Sequence, residues 1–294
     1  MRYLLLFFPL ILACSRERIP RKIPLPDALN EVSGFYYGGA DSLWWHNDSG
    51  HEPRLYRTDL EGNLLEDIHL AQIRNRDWEA LAFDEQGHLY IGDFGNNANA
   101  RRDLRIYRYH LGSGAIDSIL FSYPDQERFP PPPEAANFDM EAFFWYRDSL
   151  HLFSKNRLQY GNDYTKHYVL PAAPGGYTAE LRDSVYLKKR VVTGAAISPD
   201  GQAVVLVAYW FKPLFGFIPL TRTSVFLLEA YPDGRFLQGT MQKIRVPKGL
   251  APTQYEAIDF VDPARVLLAS ERTVLFRQKA RRIKLPRRER PARP

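Results

Sequence analysis

Five segments of the chain repeat one local grammar. A small residue sits in an opening strand, an apolar second strand follows, and a Tyr or Phe marks a third. The openings are Ser33-Gly34-Phe35, Glu79-Ala80-Leu81, Glu141-Ala142-Phe143, Gly194-Ala195-Ala196 and Glu256-Ala257-Ile258. Apolar runs follow at Leu43-Trp44-Trp45, Leu89-Tyr90-Ile91, Leu150-His151-Leu152, Val204-Val205-Leu206 and Val266-Leu267-Leu268, and then Tyr56, Tyr107, Tyr168, Phe226 and Phe276. A fixed order at intervals of roughly 45 to 60 residues predicts radial repetition of four-stranded antiparallel sheets, an all-β, five-bladed β-propeller. The longer intervals before Glu141 and Glu256 leave room for a sixth blade as the alternative. Ala or Gly in each opening has a steric reason, because innermost strands of neighbouring blades crowd together near the axis.

The first residues, Met1 to Ala13, carry Arg2 and then an apolar stretch that ends at Ala13-Cys14. That pattern is a secretory signal and is too short to span a bilayer stably. The single Cys of the chain stands at the expected cleavage point, so the segment resembles the lipobox of bacterial lipoproteins, in which the lipidated Cys becomes the N-terminus. The expectation is a signal peptide over 1–13, lipidation at Cys14, a linker over 14–19, and membrane attachment without a transmembrane helix. The expected address is the bacterial cell envelope, at the outer membrane. Once Cys14 is acylated no thiol remains, which excludes disulfides, thiolate nucleophiles and Cys metal sites.

Charge is unevenly spread. From Lys279 onward eight Lys or Arg face one acid, Glu289, so this end carries +7 and the rest of a chain of net charge +5 is slightly acidic. A basic tail suits nucleic acid or anionic headgroups, but it lacks interleaved aromatics for base stacking, and no nucleic-acid partner is expected. Residues 280–294 are read as a solvated, disordered tail, and 20–279 as the propeller. Lys22 to Pro26 and Arg282 to Pro286 both read as outer strands and compete to close the last blade. Ser198-Pro199-Asp200-Gly201 reads as a turn. Phe211 to Arg222 reads as a long apolar loop.

The aligned column at the openings is Ser33, Glu79, Glu141, Gly194 and Glu256. Three carboxylates at one level around a narrow channel repel one another and require a cation, a basic partner or raised pKa values. Ca²⁺ is the possible cofactor, with Asn47 and Asp93, and also Ser270, as further oxygen donors. Internal pairing by Lys155, Arg157 or Arg272 is the competing arrangement. Ser154 to Arg157 also reads as a possible anion site. The His46 and His51 pair lacks a third local ligand for zinc and reads as polar turn chemistry. Gly92 to Asn97 is followed by a strand, which excludes a phosphate cradle at a helix N-terminus. No Gly-x-Ser-x-Gly elbow is present.

The openings EVSGFYY, DWEALAF, MEAFFW, TGAAISPDG and YEAIDF, with LYRTDLEGNLL after the first, resemble the repeats of the SdiA-regulated propeller family, and share their rhythm with NHL-repeat and gluconolactonase-like propellers. The resemblance implies an envelope propeller, and its calcium-dependent lactonase and phosphoesterase relatives imply an axial metal held by Glu, Asn and Asp. Gly194 and Ser33 depart from that pattern. Two readings follow. One is a monomeric, non-catalytic lipoprotein that binds a protein, glycan or small molecule. The other is a metal-dependent hydrolase built on the channel carboxylates.

Overall fold

The computed structural model describes residues 19–39, 42–156, 161–214, 218–246, 254–273 and 276–286, with side chains described outside 211–221. Cys14, the segment before it, Arg157 and residues 287–294 lie outside the described residues. Five antiparallel sheets form a five-bladed β-propeller. The first blade is Val32–Tyr37, Leu43–Asn47, Arg54–Thr58 and Leu64–His69, from axis to rim. The second is Trp78–Phe83, His88–Asp93, Arg105–His110 and Ile116–Ser122, and the third is Asp139–Tyr146, Ser149–Lys155, Tyr164–Pro171 and Glu180–Tyr186. The fourth is Val191–Ile197, Ala203–Leu214, Ile218–Glu229 and Thr240–Arg245. The fifth joins Tyr255–Asp262, Arg265–Ser270 and Lys279–Lys284 to Lys22–Pro24. Among the described residues no helix is long and apolar enough to cross a membrane.

Both faces of each blade are buried, and the core is accordingly divided into five clusters, one between each pair of neighbouring blades. Strand alternation produces this division. Val204, Leu206 and Ala208 pack toward the third blade, while Ala203, Val205 and Val207 pack toward the fifth. The last cluster closes the ring, because Ala257, Leu267 and Ala269 of the fifth blade meet Val32, Phe35 and Trp45 of the first. The two competing closing segments both take part. Ile23 pairs with Ala280, so the N-terminal piece is the outer strand and Lys279–Lys284 is the third.

The tail does not begin at 280: Ala280 is fully buried opposite Ala269, and Leu285 is buried too, so 279–285 belongs to the domain. Phe276 exchanges backbone hydrogen bonds with Thr273 and lies three residues before the third strand it was expected to mark. The apolar stretch after Tyr209 is a continuation of two strands, paired from Tyr209–Thr223 out to Leu214–Ile218, and not a loop. The outer strands of the first and fourth blades, Leu64–His69 and Thr240–Arg245, carry a half-exposed, alternating pattern that marks their edges poorly in the sequence. A further strand, Gly175–Thr178, leaves the third blade and pairs in parallel with Ile116–Ser122 of the second. It covers what would otherwise be an open sheet edge.

Every inner strand carries a β-bulge at the same height. The ladder skips one residue between Val32 and Gly34, Trp78 and Ala80, Met140 and Ala142, Val192 and Gly194, and Tyr255 and Ala257. The bulged residues are Ser33, Glu79, Glu141, Thr193 and Glu256. The fourth member of the channel column is therefore Thr193, and Gly194 belongs with Gly34, Ala80, Ala142 and Ala257. A Cβ on Gly194 would lie 3.0 Å from the Glu256 carbonyl oxygen and 3.2 Å from the Ala257 Cα of the next blade, which is the crowding that selects small residues there.

Candidate functional site

A bulge leaves one residue out of the ladder and re-aims its side chain, so five polar side chains converge where the inner strands begin. All five are buried. The two hydroxyls tie blades together: Ser33 Oγ donates to the Glu79 carbonyl oxygen at 2.9 Å, and Thr193 Oγ1 donates to the Tyr255 carbonyl oxygen at 2.9 Å. The three carboxylates differ in their partners. Lys155 Nζ donates to Glu141, Ser33 Oγ lies 3.3 Å from Glu79 Oε2, and the Gln254 amide donates to Glu256 at 3.3 Å.

The second strands contribute a different column from the expected one. Asn47 and Asp93 stand opposite Val32 and Trp78, and their side chains turn away from the axis. Asn47 Nδ2 donates to the Ala28 carbonyl oxygen at 2.7 Å, and Asp93 accepts from Arg101 at 3.2 Å and from the Asp77 backbone N–H at 3.0 Å. Ser270 Oγ donates to the Lys279 carbonyl oxygen. One residue further along, strand alternation reverses the direction. Asp48, Lys155, Tyr209 and Glu271 act electrostatically on the channel carboxylates and on one another. In the second blade the equivalent residue is Phe94, which is buried between Phe121 and Phe143. Arg272 does not reach the ring. It lies 3.9 Å from Asp27, and both side chains are exposed.

Carboxylates so crowded and so dry bind protons unusually well. Burial, with Glu141 and Asp48 nearby, pushes Glu79 well above the ordinary carboxylate range, and burial raises Glu141 despite Lys155. Burial with the Glu271 charge pushes Glu256 up to about 8, and burial with Asp48 and Glu141 pushes Glu271 up to about 7. Burial, with Asp48 and Asp139, takes Asp77 to about 6. Burial opposes the charge on Lys155, but Glu141, Asp139 and Glu256 outweigh it and hold the ammonium protonated.

One side of this mouth carries the kind of donor that a hard cation takes, carboxylate oxygen. Single carboxylate oxygens of Asp48, Asp77 and Glu79 all lie within 4.8 Å of one another, and among the described residues none of the three carboxylates forms an ion pair. Gly95 shapes the space, because a Cβ there would stand 2.3 Å from Glu79 Oε1 and 2.4 Å from Asp77 Oδ2. Three oxygens are fewer than the six to eight that Ca²⁺ takes, so water or a ligand would complete the shell. Of the residues expected in a metal cage only Glu79 belongs to this group. Asp48 and Asp77 were missed, although strand parity places Asp48 inward once Asn47 is placed outward.

No protein-family model matches the chain, and no curated protein matches it by sequence. Solved structures do match by fold. An α-L-arabinanase from Penicillium chrysogenum is 10% identical with a TM-score of 0.53, over 90% of this chain and 98% of that one. An endo-arabinase from Bacteroides thetaiotaomicron is 12% identical with a TM-score of 0.51, over 92% of this chain and 99% of that one. An aldose sugar dehydrogenase from Streptomyces coelicolor, solved with PQQ, is 10% identical with a TM-score of 0.51, over 90% of this chain and 97% of that one. Identities this low show the β-propeller fold alone; the neighbours are enzymes of unlike chemistry, and no reaction passes to this chain from them.

Proposed function

We propose that this protein is a lipid-anchored binding module of the bacterial cell envelope whose acidic channel mouth holds a cationic group of its ligand and performs no reaction of its own. The observation that carries this reading is Lys155, an ammonium already seated among Glu141, Glu256 and Glu79. The same chemistry continues beside it in Asp48, Asp77 and Glu79, three carboxylates without an ion-pair partner among the described residues. A ligand cation there would let all three ionise, which their crowding otherwise opposes. The Cys14 lipobox supplies the anchor, and the ligand class extends to a protein, glycan or small molecule bearing such a group.

The second reading is a metal-dependent hydrolase of lactone or phosphoester type, favoured by the closeness of Asp48, Asp77 and Glu79. Ca²⁺ held there would polarise a carbonyl or phosphoryl oxygen as a Lewis acid. Thermal unfolding with Ca²⁺, chelator and spermidine, paired with lactone and phosphoester assays, separates the two. Stabilisation by either cation without turnover supports the binding module, since a ligand of the folded state stabilises by mass action. Turnover that Glu79→Gln abolishes selects the hydrolase. If neither cation moves the melting temperature, the mouth is not a cation site. Cys14→Ser tests the anchor, and a variant that still fractionates with membranes removes it.

A further inference from the structure

The opposite end of the channel is a different chemical environment. Where the inner strands finish, all five blades line an open cavity of about 530 Å³, within the range of small-molecule sites. Its walls are aromatic, with Tyr36, Phe83, Trp145, Tyr146 and Phe260 contributed by four blades. The Tyr36 and Phe83 rings stack across a blade boundary with centroids 4.9 Å apart. On the fifth blade Asp259 faces the same space. Its Oδ2 accepts from the Tyr37 backbone N–H at 2.8 Å and its Oδ1 from the Phe260 backbone N–H at 2.8 Å. Among the described residues no Lys, Arg or His forms an ion pair with it, and the one basic residue of the lining, Arg147, lies over the Tyr146 ring with its guanidinium carbon 5.0 Å from the centroid.

A carboxylate that shares a cavity with several aromatic rings is matched by one kind of guest. The faces carry negative quadrupole charge and attract cations, most effectively cations whose apolar substituents shed water easily. We propose that this end of the channel is a second binding site, distinct from the acidic mouth, that takes a small alkylated ammonium with Asp259 as its counter-charge and Tyr36, Phe83 and Trp145 as its walls.

Burial pushes the Asp259 carboxyl up to about 7, and a bound cation favours its ionised form. The charged groups around it are Asp84, Glu85, Arg147 and Asp200 from the neighbouring blades, and the Tyr36 phenol, whose ionisation burial and the Asp259 charge hold back. Affinity for such a cation therefore rises between about pH 6 and about pH 8.

Choline and neohexanol, its uncharged carbon isostere, test the site by calorimetry and tryptophan fluorescence, with Trp145 as the local reporter. The expected result is that choline binds about tenfold or more tightly than neohexanol, and that Asp259→Asn removes that preference. Because Asp259 also accepts two backbone N–H bonds, Trp145→Ala at the half-buried rim serves as a second variant. It should weaken choline by several-fold without unfolding the protein. Equal affinity for the two compounds, choline binding unchanged in Trp145→Ala, or no binding of either compound in the millimolar range would overturn the proposal. These outcomes are independent of Glu79→Gln, which alters only the other end.

Discussion

The Nδ1 of His167 stands 2.8 Å from Oδ1 of Asp183, and its Nε2 stands 3.0 Å from Nδ1 of His151. Only one proton arrangement satisfies the chain with neutral rings: His167 donates to the carboxylate from Nδ1 and accepts at Nε2 from His151. Asp183 Oδ2 also accepts the Leu237 backbone N–H at 3.2 Å. The rings pack tightly, His167 stacking on Phe153 with centroids 4.8 Å apart. Burial lowers His167 even against Asp183, and burial with His167 nearby takes His151 to about 3. The relay is therefore a neutral, structural tie within the third blade, reaching the 3₁₀ turn at Phe236–Gln238.

Asp183→Asn should destabilise the protein by about 1–3 kcal/mol, because an amide cannot accept from both His167 and Leu237 without presenting N–H to N–H. Urea unfolding at neutral pH measures it. A change below about 0.5 kcal/mol would show that the relay bears little of the blade's stability.

Much of the architecture was legible because crowding at the axis leaves a residue-level trace. Gly34, Ala80, Ala142, Gly194 and Ala257 are small for one steric reason, and buried second strands such as Val204-Val205-Leu206 are apolar on both faces. What escaped was the bulge. It shifts pairing by one residue while leaving the sequence rhythm intact, so Gly194 occupied the column that Thr193 fills. The same one-residue uncertainty hid Asp48 behind Asn47, as strand alternation turns a single slip into the opposite face. Asp77 precedes its strand and carries no periodic signal. The tail misled through composition: Lys279 to Lys284 is basic, yet Ala280 and Ile283 are buried on opposite faces of the strand, against the first and the fourth blade. The aromatic far end was spread over four openings, and only the ring closure brings Tyr36, Trp145 and Asp259 to one cavity.

Lys155→Met should destabilise by about 3–5 kcal/mol at pH 8, because Glu141 would be left as a buried charge without its cation. At pH 5 the loss should be much smaller, since Glu141 and its neighbours can take protons instead. Chemical unfolding of wild type and variant at both values tests the pair. An equal loss at both pH values would place the role of Lys155 in packing rather than charge.

Gly95→Ala should act on the acid cluster more than on the fold. Its Cβ would meet Glu79 Oε1 at 2.3 Å and Asp77 Cγ at 2.4 Å, and both side chains can swing aside. The expected destabilisation is about 1–2 kcal/mol, together with loss of any stabilisation by Ca²⁺ or spermidine seen in wild type. A variant that keeps the full cation response would show that Asp77 and Glu79 do not hold the cation.

Stability should fall from about pH 4 to pH 8, because four carboxylates outweigh two histidines that act in the opposite direction. Asp77 at about 6, Asp259 and Glu271 at about 7 and Glu256 at about 8 all lie above the values of an unfolded chain. Their contribution is complete below about pH 4 and is lost from there up to their folded values of 6 to 8, since the unfolded chain releases its protons first while the folded state still holds them. His46, which burial lowers to about 4, and His151 at about 3 contribute in the reverse sense. Theirs is present above about pH 6.5 and lost as pH falls through 4 and 3, because the unfolded rings charge first. Between about pH 6.5 and 8 the histidines are neutral in both states and only the carboxylates act, so the melting temperature should decline across that window. Glu256→Gln should flatten the upper part of the decline by removing the highest of these values, and a cation at the mouth should raise the curve most at its alkaline end. A melting temperature that climbs from pH 6 to pH 8 would mean that the channel acids are ionised at little cost, and the crowding that defines the site would then have no energetic consequence.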